Sequence, residues 1–96
     1  MKIVWTRPAL ENFEKIIDFI AEDSLFFANK FSEQVFQLIE KLTKFPKMGK
    51  KVIEEKDENI RELVYNHYRI IYEIKQNEII IYNIIHGKRN ISDFKI

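Results

Sequence analysis

Three apolar runs crowd the last third of the chain, and a short segment can bury them side by side only as a sheet. They read Ile60-Arg61-Glu62-Leu63, then Tyr68-Arg69-Ile70-Ile71-Tyr72-Glu73-Ile74, then Ile79-Ile80-Ile81 continuing into Ile84-Ile85-His86-Gly87-Lys88-Arg89. Strands this rich in Ile and Tyr belong mid-sheet with both faces covered. The pairs Asn66-His67 and Gln76-Asn77 sit between the runs and suit tight hairpin turns. Each run also carries or ends in a charge. An arginine inside such a strand must reach a partner, a ligand or the solvent edge, because an unpaired buried charge is too costly.

The first half supplies a cover for this sheet. Ile3, Val4 and Trp5 suit a short opening strand. Thr6 then caps a helix whose first turn holds Pro8, where a missing N–H does no harm. Leu10, Phe13, Ile17 and Ile20 recur at helical spacing, with Ile16 widening the stripe. Ser24 offers a second cap, and Ala28, Phe31, Val35, Leu38, Leu42 and Phe45 form the seam of a second helix ended by Pro46. Phe19, Phe26 and Phe27 fall off both stripes and predict an exposed apolar patch of the kind that meets a partner. Residues 46–59 read as one long loop, with Lys47, Lys50 and Lys51 followed by an acidic run from Glu54 to Glu58. The predicted class is α+β: strand, helix, helix and three strands, an antiparallel-rich sheet covered on one face by a helical hairpin.

Composition narrows the functional classes. Ninety-six residues make one domain, spanning 1–96, whose 46% hydrophobic content includes eight Phe and four Tyr. No cysteine is present and histidines number two, so thiolate and histidine-cluster metal sites are excluded and no metal or cofactor is expected. Trp5, Arg7 and Pro8 interrupt any leader-like apolar run, and no stretch is long enough to span a bilayer. A cytoplasmic protein without a membrane partner is expected. The net charge is +1, from 16 basic against 15 acidic residues, whereas proteins that grip many phosphates carry a basic excess. Any nucleic-acid contact must therefore come from a local patch.

The charged strand positions admit two kinds of reading. Arg69 either makes an ion pair with Glu62 or Glu73 across the sheet or clamps a phosphate with its planar fork. Arg61 either pairs with a loop carboxylate or contacts a target. Lys50, Lys51 and Lys88 are ordinarily solvated, and are otherwise the contacts to a nucleic acid or protein target. His86 is the residue of this neighbourhood able to act as a base near neutral pH, though a histidine closing a strand is commonly structural.

With helical sequence before it, the stretch from Ile60 to Arg89 resembles the RelE/ParE superfamily of small bacterial toxins. The I-R-E-L run at Ile60–Leu63, the Y-R-I-I-Y run at Tyr68–Tyr72 and the H-G-K-R run at His86–Arg89 carry the resemblance. In ribonuclease members, arginines in matching contexts stabilise the cleaved phosphate, which implies that role for Arg69 and Arg89. Those members also place a lysine where Glu62 stands and a tail tyrosine where this chain has Phe94 and Lys95. An acid–base pair would then have to be rebuilt from His86 and Glu62. The I-R-E-L and H-G-K-R runs look closer to the ParE branch, whose members poison DNA gyrase by binding and perform no known chemistry. The resemblance thus implies a toxin of a type II toxin–antitoxin module with a cognate antitoxin as partner. Gyrase poisoning leads, metal-independent cleavage of mRNA on the ribosome is the alternative, and an inactive antitoxin-binding remnant is a third.

Overall fold

The computed structural model describes residues 1–87. In chain order these form strand β1 (Lys2–Trp5), helices α1 (Arg7–Asp23) and α2 (Leu25–Lys41), and strands β2 (Lys50–Lys51), β3 (Ile60–Tyr65), β4 (Tyr68–Lys75) and β5 (Glu78–His86). The sheet order is β1-β5-β4-β3-β2. β1 runs parallel to β5, and the remaining neighbours are antiparallel. The expected α+β architecture, with a helical hairpin on one face, is the one found. Its addition is β2, a two-residue edge strand inside what the sequence presents as uninterrupted loop.

Local chemistry sets the helix ends. Thr6 accepts the Ala9 N–H at 3.2 Å and donates its own hydroxyl to the Tyr82 carbonyl at 2.9 Å, so one side chain caps α1 and ties it to β5. Ser24 closes α1 with its N–H and opens α2 by accepting the Phe27 N–H at 3.1 Å. The two helices therefore meet at a single residue and fold back into a hairpin. The α2 seam departs from expectation at its end. Leu42, Thr43 and Lys44 donate three residues back, to Ile39, Glu40 and Lys41. This tighter turn rotates Phe45 off the core, leaving it exposed. It is Ile39 that is fully buried, with Leu38 packed at the margin. Leu10, placed on the first stripe by its spacing, is also largely exposed.

The main core lies between the hairpin and one sheet face. Ala9, Phe13, Phe31, Val35, Ile39 and Leu42 meet Leu63, Ile70, Tyr72, Ile79, Ile81 and Ile84. Phe31 packs its ring against Tyr65 and Tyr68, with centroids 5.8 and 5.3 Å apart. Trp5, Phe13 and Phe36 continue the aromatic layer. The opposite face carries a smaller cluster, Val52, Ile71 and Ile85, flanked by Ile60 and Tyr82. Both hairpin turns have the predicted two-residue length, Tyr65 pairing with Tyr68 and Lys75 with Glu78. Asn66 and Gln76, the first residue of each, take positive φ of 55° and 54°. A bulge interrupts β5: Ile71 pairs with Asn83 and Tyr72 with Ile81, leaving Tyr82 without a ladder partner. Asn12 of α1 donates to the Asn83 side-chain oxygen at 2.8 Å beside this bulge. Among the described residues, no helix is long and apolar enough to cross a membrane.

Candidate functional site

Strand alternation sorts the charged candidates between the two faces. On β3 and β4 the ladder pairs Glu62 with Ile71 and Val64 with Arg69, on the face turned away from the helices. Lys50 joins them through its pairing with Glu62. Here Arg69 is buried, its side chain 9% exposed and that of Glu62 7%. Arg69 donates Nε and NH2 to one Glu62 carboxylate oxygen at 3.2 and 2.6 Å. NH1 and NH2 also reach the two oxygens of Glu54 at 3.0 and 2.9 Å. The arginine is thus held by a fixed carboxylate from β3 and forked end-on by a second from the connection before it. Hydrogen bonding to Glu54 leads the effects that hold the guanidinium proton more tightly than usual, with Glu62 adding to it and burial opposing. Of the two strand partners open to Arg69 in the sequence, Glu62 is the one used. Glu73 instead accepts the Tyr82 hydroxyl.

Glu54 was hidden from sequence reasoning. It opens an acidic run that reads as a solvated loop, and nothing in the local pattern signals a partner 15 residues away. Only the fold of that connection over the sheet brings the two together.

A groove of about 650 Å³ opens over this trio. Lys50, Ile53, Val64, His67, His86 and Gly87 border it. His86 pairs with Tyr68 across the ladder, one position along from the Ile85–Arg69 pair, so alternation sends its side chain to the Tyr68 side. Its ring lies edge-on to Tyr68 with centroids 6.0 Å apart, and stacks with His67 at 6.4 Å and 17°. Arg69 and His86 therefore border one groove, Arg69 from the face turned away from the helices and His86 from the strand end, with its ring against Tyr68.

The remaining candidates divide as follows. Arg61 lies on the helix face of β3 and adds to the positive field at Glu58 without bonding to it. There it donates NH1 to the Gly49 carbonyl at 2.8 Å and the Lys47 carbonyl at 3.5 Å, in place of the loop carboxylate expected from the sequence. Its Nε is buried without a hydrogen-bond partner. Lys51 pairs with the Glu58 carboxylate at the surface, and that ammonium holds Glu58 below the usual carboxylate range. Lys50 is exposed on the groove's rim. Lys88 and Arg89, together with the tail bearing Phe94 and Lys95, lie outside the described residues. No cluster of three or more His, Asp or Glu arranged to hold a metal ion occurs among the described residues.

Comparisons with known proteins bear on this arrangement. A chain of a solved structure, the chromosomal ParDE toxin–antitoxin system from P. aeruginosa, superposes with a TM-score of 0.74. The alignment covers 92% of this chain and 97% of that one at 20% identity, a likeness of fold. No curated protein matches the chain. A family model, the ParE toxin of the type II toxin–antitoxin system parDE, matches residues 3–91, from β1 through every described element. The chain belongs to the ParE toxin family of type II toxin–antitoxin systems.

Proposed function

We infer that this toxin acts by binding, with DNA gyrase as its target, and performs no chemistry of its own. The observation that carries the reading is the Arg69 trio. Cleavage of RNA through its 2′-hydroxyl needs a cation for the phosphate and an acid and a base beside it. In the described structure the Arg69 fork holds two carboxylates, and the His86 ring, on the same groove, lies against Tyr68 and His67. Glu62 at the strand position and Phe94 in the tail point the same way.

Purified protein should inhibit gyrase supercoiling and accumulate cleaved DNA on the enzyme, while leaving ribosome-bound mRNA intact. Ribosome-dependent mRNA cleavage lost in both Arg69→Ala and His86→Ala would replace this reading with the nuclease one.

A cognate antitoxin, made from an adjacent frame and acting with the toxin in the cytoplasm, is the second part of the proposal. Phe19, Leu25, Phe26 and Phe27 stand exposed around the junction of α1 and α2. Phe26 and Phe27 contact each other edge-on at 5.3 Å, a preformed apolar ridge of the kind that marks a partner surface. Co-expression with the neighbouring small frame should relieve growth arrest and yield a stable complex. If it does neither, the pairing is wrong.

A further inference from the structure

We propose that Glu54 is an exchangeable occupant of a carboxylate site built from Arg69 and Glu62, and that an acidic side chain of a protein partner takes its place. The two glutamates are tethered very differently. Glu62 belongs to β3, in register with both Lys50 and Ile71, and is sealed beneath the groove. Glu54 comes from the connection between β2 and β3, and its side chain is 27% exposed. The connection is tied to the sheet at its two ends, where the Val52 N–H donates to the Ile60 carbonyl at 3.4 Å and the Ile74 N–H to the Asn59 carbonyl at 2.9 Å. Between these ties lie local turns, Glu55 to Val52 and Ile60 to Asp57, with Asn59 donating to the Asp57 carboxylate. Withdrawing Glu54 breaks no rung of the sheet.

Simple opening is unfavourable, because it strips two charge-assisted bonds from a buried guanidinium. Exchange avoids that loss. An incoming carboxylate meets NH1 and NH2 with the same fork geometry that Glu54 shows, at 3.0 and 2.9 Å, and restores the same net charge of −1.

The surroundings favour a protein over a nucleic acid as the source of that anion. Ile53, next to Glu54, is 95% exposed, and Val64 on the sheet floor is 54% exposed. Both line the groove and offer apolar contact to the residues flanking an incoming acid. A nucleic-acid backbone brings a run of phosphates and needs a run of cations. Among the described residues that line the groove, the cations besides the two histidines are Arg69 and Lys50, set against the carboxylates of Glu54 and Glu62.

The test is a side-chain NMR titration of the full-length ¹⁵N-labelled protein, following the Arg69 Nε–H signal. The probes are the peptide acetyl-Leu-Glu-Leu-amide, its Gln counterpart and a four-nucleotide oligothymidylate. In Glu54→Gln the glutamate peptide should shift the signal at roughly tenfold lower concentration than in wild type, the equivalent of one charge-assisted hydrogen bond. Glu54→Asp should fall between, and the Gln peptide should have no effect. Equal responses in wild type and Glu54→Gln, or to both peptides, would overturn the proposal. A stronger response to the oligonucleotide would overturn its protein-partner half in favour of phosphate. Loss of the native amide spectrum in Glu54→Gln would make Glu54 a structural member and end the exchange idea. All of these readouts are independent of gyrase.

Discussion

Gly49 and Tyr72 are locked together: the Gly49 N–H donates to the Tyr72 hydroxyl at 2.9 Å, inside the core edge where the chain leaves α2. That hydroxyl in turn donates to the Pro46 carbonyl at 2.7 Å, and burial keeps it protonated above the ordinary tyrosine range. A Cβ on residue 49 would stand 2.6 Å from both the Glu62 carbonyl and the Tyr72 hydroxyl. Gly49→Ala should therefore destabilise by about 1–3 kcal/mol through overpacking. Tyr72→Phe should cost about 1–3 kcal/mol by orphaning the Gly49 N–H and Pro46 carbonyl. Denaturant unfolding of each variant measures both, and a neutral Gly49→Ala would show that the turn relaxes freely.

Arg69 should be expensive to truncate alone and cheap to replace together with its strand partner. Arg69→Ala leaves Glu62 charged beneath the groove and should destabilise by about 3–5 kcal/mol. Arg69→Met combined with Glu62→Leu removes both charges, while the more exposed Glu54 turns into water. The double variant should regain most of the loss. A double as unstable as the single would mean that the pair contributes through geometry an apolar pair cannot supply.

The helix seam gives a graded prediction. Ile39→Ala should destabilise by about 2–5 kcal/mol and Phe31→Ala by about 3–5 kcal/mol, since both side chains are enclosed. Leu38→Ala should cost clearly less, because that residue packs only at the core margin. Equal losses at 38 and 39 would place the helix in a different rotation.

Alkaline pH should expose the Tyr82–Glu73 hydrogen bond. Bonding to Glu73, with burial behind it, raises the Tyr82 hydroxyl from 10.0 to about 12 in the folded state. Folding favours the protonated phenol, so its contribution is complete below pH 10 and disappears as pH rises to about 12. Wild type should lose stability more steeply than Tyr82→Phe over that window. Parallel curves would show that the hydroxyl is not held by Glu73 in solution.

Substituting the aromatic ridge should separate binding from folding. Phe26→Ser and Phe27→Ser should leave the melting temperature within a few degrees of wild type, as exposed positions do. Antitoxin capture in a pull-down from co-expressing cells should nonetheless fall. Retained capture would move the antitoxin surface elsewhere.

The elements were legible in the sequence wherever a local rule governed them. Thr6, Ser24 and Pro46 announce the helix hairpin, and the two-residue gaps at Asn66 and Gln76 announce the strand pairings. Legibility failed where the cause was distant. Phe45 keeps the seam's spacing, yet a tightened helix end turns it out. Lys50 and Lys51 have no strand pattern and become an edge only because β3 offers them a ladder. Arg69 was readable as a charge in need of a partner and Glu62 as one candidate. Glu54 was not readable, since a loop's path over a sheet is written in its long-range contacts.

The unpaired Tyr82 decides which chemistry the last strand can host. Carry the ladder on from Tyr72 opposite Ile81 without that extra residue. His86 would come round to the side of Arg69 and Glu62. The bulge shifts the phase of everything after it by one step, turning the His86 ring toward Tyr68 at the end of the groove. In this strand a single extra residue decides which neighbours every later side chain meets.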